Sequence, residues 1–250
     1  FNRLLFVKFT VRIKRFFGKY IRLMPVHSGG AASMNLEQLL EFIRSSDNIM
    51  KNITSWVVLP EREAVYEDLP DCIDIRIREA LAGRGIHRLY SHQAEAIKAV
   101  NNGESVVVVT PTASGKTMCY NLPVLNSILK DDSSRALFLF PTKALSQDQT
   151  SELHEIITAA GIDIKTYTYD GDTPQSARKA IRHAGHIVVT NPDMLHSGIL
   201  PHHTKWTKLF ENLKYVVIDE IHHYRGVFGS HLANVIRRLK RICEFYGSNP

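Results

Sequence analysis

Five short runs, "SVVVVT", "RALFLF", "IKTYTYD", "IVVT" and "YVVID", recur between residues 105 and 219, separated by stretches with a helical pattern. Most are apolar almost throughout, the composition of strands covered by helices on both faces. Parallel neighbours need a crossover, so strands alternating with helices predict an α/β fold: a doubly wound, mainly parallel sheet with helices on both faces. Ligands in such sheets bind beyond the carboxyl ends of the strands. The helical stretches are "IDIRIREALAGRG", stopped by Gly83 and Gly85, "SHQAEAIKAVNNG", "GKTMCYNLPVLNSILK", "ALSQDQTSELHEIITAAG", ending at Gly161, and "GSHLANVIRRLKRICEFYG". Ser91 is the expected N-cap of the second and Gly103 its stop. "WVVLPEREAVYEDLPDC" reads as an irregular, extended lead-in.

Charge is unevenly placed. Residues 1 to 33 hold seven of the 31 basic residues and no acid, leaving 24 bases against 25 acids in the body. Bulk charge therefore does not argue for a nucleic-acid partner, and such a claim must rest on local groups. The basic leader is interrupted by charge every few residues, which excludes a transmembrane span and leaves no signal-peptide core. It is expected to be non-native or disordered sequence upstream of Met34, which opens the helical "MNLEQLLEFIRSS". Residues 34–85 then form a helical lead-in and 86–250 the main domain. Cys72, Cys119 and Cys243 show no CxxC spacing, so neither a disulfide framework nor a zinc site is suggested, and a reducing cytoplasm is the expected compartment.

"TPTASGKT" follows the valine run directly. A loop that wraps phosphates needs inward backbone N–H groups, a glycine at the close approach, a lysine for the outer phosphates and a hydroxyl for Mg²⁺. Gly115, Lys116 and Thr117 supply the last three in order, with Thr110 where a first glycine is usual. "YVVIDEIHH" puts Asp219 and Glu220 at the carboxyl end of a strand, one carboxylate for Mg²⁺ and the next to polarise a water.

This ordered set resembles the superfamily 2 helicases of the DExH kind. "TPTASGKT" is similar to motif I, "PTKALSQDQ" to motif Ia, "TNPDMLH" to motif Ib, "DEIH" to motif II and "YSHQAEAI" to the Q-motif region. "YDGDT", "TNPDMLHSGILPHHTKW" and "HHYRGVFGSHLANVIRRLKRIC" resemble the bacterial MrfA/YprA-type, RecQ-like DNA-repair helicases. The resemblance spans roughly residues 50 to 250 and implies a RecA-like P-loop NTPase lobe using ATP and Mg.

Residue by residue, the resemblance implies that Lys116 binds the β- and γ-phosphates and that Thr117 and Asp219 hold Mg²⁺. Glu220 is then the catalytic base, and His222 couples the nucleotide site to a second RecA-like lobe. Gln93 reads the adenine edge beside Tyr90, while Thr110, Pro111, Thr112, Ala113, Ser114 and Gly115 form the phosphate loop. Pro141, Thr142, Lys143, Gly171, Asp172, Thr190, Asn191 and Pro192 face the backbone of one nucleic-acid strand, which is how a near-neutral domain holds DNA, single-stranded or forked. The implied setting is a bacterial nucleoid. The family pattern continues with a Ser-Ala-Thr motif, a second lobe and arginines at the ATP site, so this chain by itself is expected to turn ATP over poorly. An RNA helicase, a non-catalytic nucleotide-binding module and a small-molecule P-loop kinase are the alternatives. His202-His203 and His222-His223 lack a metal-ligand pattern, and the cluster Arg237, Arg238, Lys240 and Arg241 reads as a solvated helix face.

Overall fold

The computed structural model describes residues 35–56, 63–110 and 114–250. The basic leader and the loop residues Pro111, Thr112 and Ala113 lie outside the described residues. The chain divides into two compact units, Phe1–Glu63 and Ala64–Pro250. In the first, helix α1 (Leu36–Ser45) begins with a capping box in which Asn35 accepts from the Gln38 amide and the Gln38 side chain accepts from the Asn35 amide. A short α2 (Asp47–Met50) follows, and the Arg44 guanidinium lies 5.0 Å above the Trp56 ring.

The second unit opens with β1 (Tyr66–Asp68), α3 (Ile75–Gly83), β2 (Arg88–Tyr90) and α4 (Ser91–Asn101). β1 and β2 pair antiparallel, so part of the lead-in that reads as irregular is a strand. α3 contributes Ile77 and Leu81 to the main core, so the lead-in shares the core of the domain that follows it. Tyr90, not Ser91, is the N-cap of α4, because the Gln93 side chain reaches back to the Tyr90 amide.

The principal sheet contains β3 (Arg135–Leu139), β4 (Thr166–Thr168), β5 (Ile187–Thr190) and β6 (Leu213–Ile218), parallel and in the order β4-β5-β3-β6. The helices between them are α5 (Thr117–Lys130), α6 (Lys143–Ala159), α7 (Gln175–Ala184), the one-turn α8 (Pro192–Met194), α9 (Thr207–Glu211) and finally α10 (Gly226–Tyr246). Side chains of β3 alternate between two cores, as the period of two in a strand requires. Ala136 and Phe138 face the cluster built with α3, α4, α5 and α6, while Leu137 and Leu139 face Trp206, Phe210, Leu232 and Leu239. Each fully buried Leu, Ile or Phe contributes roughly 1.5–3 kcal/mol to this two-sided packing. The expected α/β fold, mainly parallel with helices on both faces, is present.

One expected strand is absent. "SVVVVT" carries no ladder among the described residues, and Val107 and Val109 are 74% and 87% exposed. Valine favours a pleated, half-buried surface, yet a ladder needs a neighbour to receive its N–H and C=O groups. Among the described residues β6, at one edge of the sheet, pairs only with β3. Among the described residues no helix is long and apolar enough to cross a membrane.

Candidate nucleotide and nucleic-acid site

The described part of the "TPTASGKT" loop is held from outside by α4. Gly115 adopts φ +73°, the left-handed region that disfavours any Cβ. Its carbonyl accepts from Gln93 Nε2 at 2.8 Å, while Gln93 Oε1 accepts from the Tyr90 amide at 2.9 Å. Gln93 is 5% exposed, and its amide thus clamps loop to helix. His92 Nε2 lies 3.1 Å from the Ser114 carbonyl, and the Ser114 and Thr110 hydroxyls are 2.6 Å apart. The Lys116 ammonium donates to the Thr110 carbonyl at 3.0 Å. Rings of Tyr66, Tyr90 and His92 stack in series at 5.1 and 5.7 Å. Sequence reasoning missed Tyr66, because its place beside Tyr90 is set by the β1–β2 register.

Thr117 begins α5 and Asp219 follows β6, and the fold links them through two further side chains. Gln149 Oε1 lies 2.9 Å from the Thr117 hydroxyl and 3.1 Å from the Tyr120 phenol, which lies 3.2 Å from Asp219 Oδ2. Burial first, and the Asp219 charge second, push the Tyr120 phenol far above its ordinary range, so it stays a donor toward that carboxylate. The Thr117 hydroxyl and the Asp219 carboxylate are hard oxygen donors of the kind Mg²⁺ takes. Gln149 was also missed as a site residue; it stands at the end of "PTKALSQDQ", whose spacing alone does not reveal a contact 32 residues back.

Glu220 adopts φ +50°, the one described non-glycine residue in the left-handed region, at a cost of about 1–2 kcal/mol. Strain of this kind collects at functional sites. The turn aims Glu220 Oε2 at His222 Nδ1, 3.0 Å away. Together with His223 these side chains bring three ligand atoms within 4.8 Å of one another.

Residues expected to face a nucleic-acid strand fall into two groups. Thr142 and Asn191 are N-caps, accepting from the Leu145 amide at 3.3 Å and the Met194 amide at 2.8 Å, so α6 and α8 present their amino ends at the carboxyl edge of the sheet. Pro141 precedes the first cap and is partly buried; Gly171 is exposed in the turn after β4. The Lys143 ammonium is ion-paired with Asp172, and Asp170 Oδ2 lies 3.9 Å away, so this lysine and Asp172 satisfy each other. Thr190 is only 3% exposed and donates to the Tyr169 carbonyl at 2.6 Å. It ties off the strand end and does not face an open surface, and the neighbouring Pro192 is also buried.

Comparison with known proteins agrees with this arrangement. Residues 90–248 match the DEAD/DEAH box helicase family. The chain is 62% identical to the uncharacterized ATP-dependent helicase YprA of Bacillus subtilis over 216 residues, covering 86% of this chain and 28% of that protein. It is 38% identical to the ATP-dependent helicase HRQ1 of Saccharomyces cerevisiae, covering 90% of this chain and 21% of that protein. A crystal structure of the DUF1998 helicase MrfA bound to DNA and AMPPNP superposes with a TM-score of 0.81 at 62% identity, covering 86% of this chain and 30% of that one. The chain thus spans under a third of the length of these relatives. The resemblance read from the ordered motifs and the fold expected from it are both borne out, and the chain belongs to the DEAD/DEAH box helicase family.

Proposed function

We propose that this chain is the ATP-binding lobe of an ATP-dependent DNA helicase or translocase that works in DNA repair, with movement along a single or forked strand driven by Mg-ATP hydrolysis. The observation that carries the reading is the series of close polar contacts from Thr117 through Gln149 to Tyr120, whose single hydroxyl proton lies within reach of both Gln149 Oε1 and Asp219 Oδ2, beside the motif II carboxylate. Gln149 lies on the helix capped by Thr142, so the same element reaches the nucleotide side and the nucleic-acid side. DNA is favoured by the MrfA relative, which was crystallised with DNA and AMPPNP.

When bound, Mg-ATP supplies the phosphoryl group and the cation that offsets its charge. In this reading Lys116 exchanges the Thr110 carbonyl for phosphate oxygens, and the Gly115 backbone lets the chain approach them. Thr117 and Asp219 hold the cation. Glu220, with Oε2 engaged by His222, orients a water and takes its proton. Asn191 and Thr142 set the amino ends of their helices toward backbone phosphates, which carry no sequence information. In this reading a second RecA-like lobe completes the ATP site.

Titration of the chain with a fluorescent ATP analogue and Mg²⁺, beside Lys116→Ala, tests this reading. Saturable binding lost in the variant is the expected result; equal binding by both proteins would remove the loop from the nucleotide site.

A further inference from the structure

On α10 the near-neutral body of the chain gathers arginines that have no carboxylate partner among the described residues. Arg76, Arg84, Arg88, Lys98, Lys143 and Lys214 each form an ion pair with a carboxylate. Arg237, Arg238 and Arg241 form none among the described residues, and Glu244 is the only acid on α10. These arginines line a groove of about 280 Å³ together with His196, His231 and Asn234. The wall opposite α10 is the π-helical segment Leu195–Ile199, which continues directly from α8 and its Asn191 cap. The groove is ordered from within: Arg237 Nη1 donates to Asn234 Oδ1 at 3.0 Å, and the His196 and His231 rings meet edge to face at 5.1 Å. Asp193 Oδ1, 3.2 Å from His231 Nε2, is the one carboxylate oxygen at its rim that meets a groove residue.

We propose that this groove binds the sugar-phosphate backbone of a nucleic-acid strand, extending the interface of the proposed function beyond the helix caps; the inference rests on that reading. Guanidinium forks match phosphate oxygens two at a time, which a solvated helix face has no need of. From His231 to Arg241 the stripe rises about 15 Å along the helix, at 1.5 Å per residue. That is the axial run of roughly four phosphates on one strand of a B-form duplex. The arginines make their contacts through charge and geometry, so the groove reads no sequence.

Fluorescence anisotropy of the chain with a fluorescein-labelled oligothymidylate, over a series of salt concentrations, tests the inference. Arg237→Ala/Arg238→Ala/Arg241→Ala is expected to raise Kd on the order of 10-fold at low salt and to flatten the salt dependence by about 2 in log–log slope, roughly 0.7 per lost phosphate contact. Lys240→Ala removes a charge from the same helix outside the groove and is expected to leave both readings nearly unchanged. Arg237→Glu repeats the test with one exposed side chain, and unchanged urea midpoints establish that the variants fold. An equal loss from Lys240→Ala and from each arginine would mean a diffuse field and would overturn the site. Unaltered binding by the triple variant, with Asn191→Ala weakened, would overturn the groove and leave the proposed interface standing. Absence of binding by every protein, wild type included, would bring down both.

Discussion

Replacing Gly115 with alanine probes the phosphate loop through its backbone and its one close neighbour. At φ +73° a Cβ costs about 1–2 kcal/mol whatever surrounds it. The Cβ would also stand 2.6 Å from Gln93 Nε2, the atom that donates to Gly115's own carbonyl. Swinging the amide aside is sterically easy but forfeits that bond and disturbs the one to the Tyr90 amide, adding about 1–2 kcal/mol for a buried group. The expected loss is therefore about 2–4 kcal/mol in total. Gly85→Ala is the control: its φ is +77° and nothing lies within 4 Å of the added carbon, so only the backbone cost applies. Urea unfolding of both variants, read as midpoint shifts at constant m, measures the difference. A Gly115→Ala loss within about 0.5 kcal/mol of the control would refute the Gln93 clamp, since a lost buried hydrogen bond costs more than that.

Asp172→Asn should tighten oligonucleotide binding several-fold and steepen its salt dependence, because Lys143 is released from its carboxylate partner; anisotropy at several salt concentrations reads both. Gln149→Ala and Tyr120→Phe should raise the Mg²⁺ needed for half-maximal binding of a fluorescent ATP analogue, with magnesium-free binding unchanged; equal losses with and without Mg²⁺ would make the path merely structural. Asp74 caps α3, and its hydrogen bonds with the Arg76 side chain and amide lower its pKa from 3.8 to about 2. A carboxylate lowered on folding stabilises above its unfolded value, and that contribution fades as pH falls through the folded one. Asp74→Ala should therefore cost about 0.5–2 kcal/mol at neutral pH and little at the acid end of that window, measured by urea unfolding across pH.

Much of the nucleotide side was legible because its signals are local. Gly115, Lys116 and Thr117 are consecutive, and the apolar run before Asp219 places the carboxylate at a strand end without reference to any other part of the chain. Gln149, Tyr120 and Tyr66 were not legible as site residues, since each acts through a partner brought close by sheet register or helix packing. The burial of Thr190 was not legible either: β5 turns its hydroxyl inward to the Tyr169 carbonyl, a contact made 21 residues away in the chain.

The sequence by itself determined four of the five expected strands, most of the helices between them, the two-sided burial of the sheet and the family, because apolar periodicity, glycine stops and motif spacing are properties of neighbouring residues. Tertiary structure alone decided which strands pair, leaving four valines without a ladder. It also brought Thr117 and Asp219 to a shared pair of side chains, Gln149 and Tyr120, and set three arginines that have no ion pair among the described residues beside His196. Those outcomes depend on contacts between residues far apart in the chain, and such contacts are fixed by packing and hydrogen-bond geometry, which local pattern does not encode.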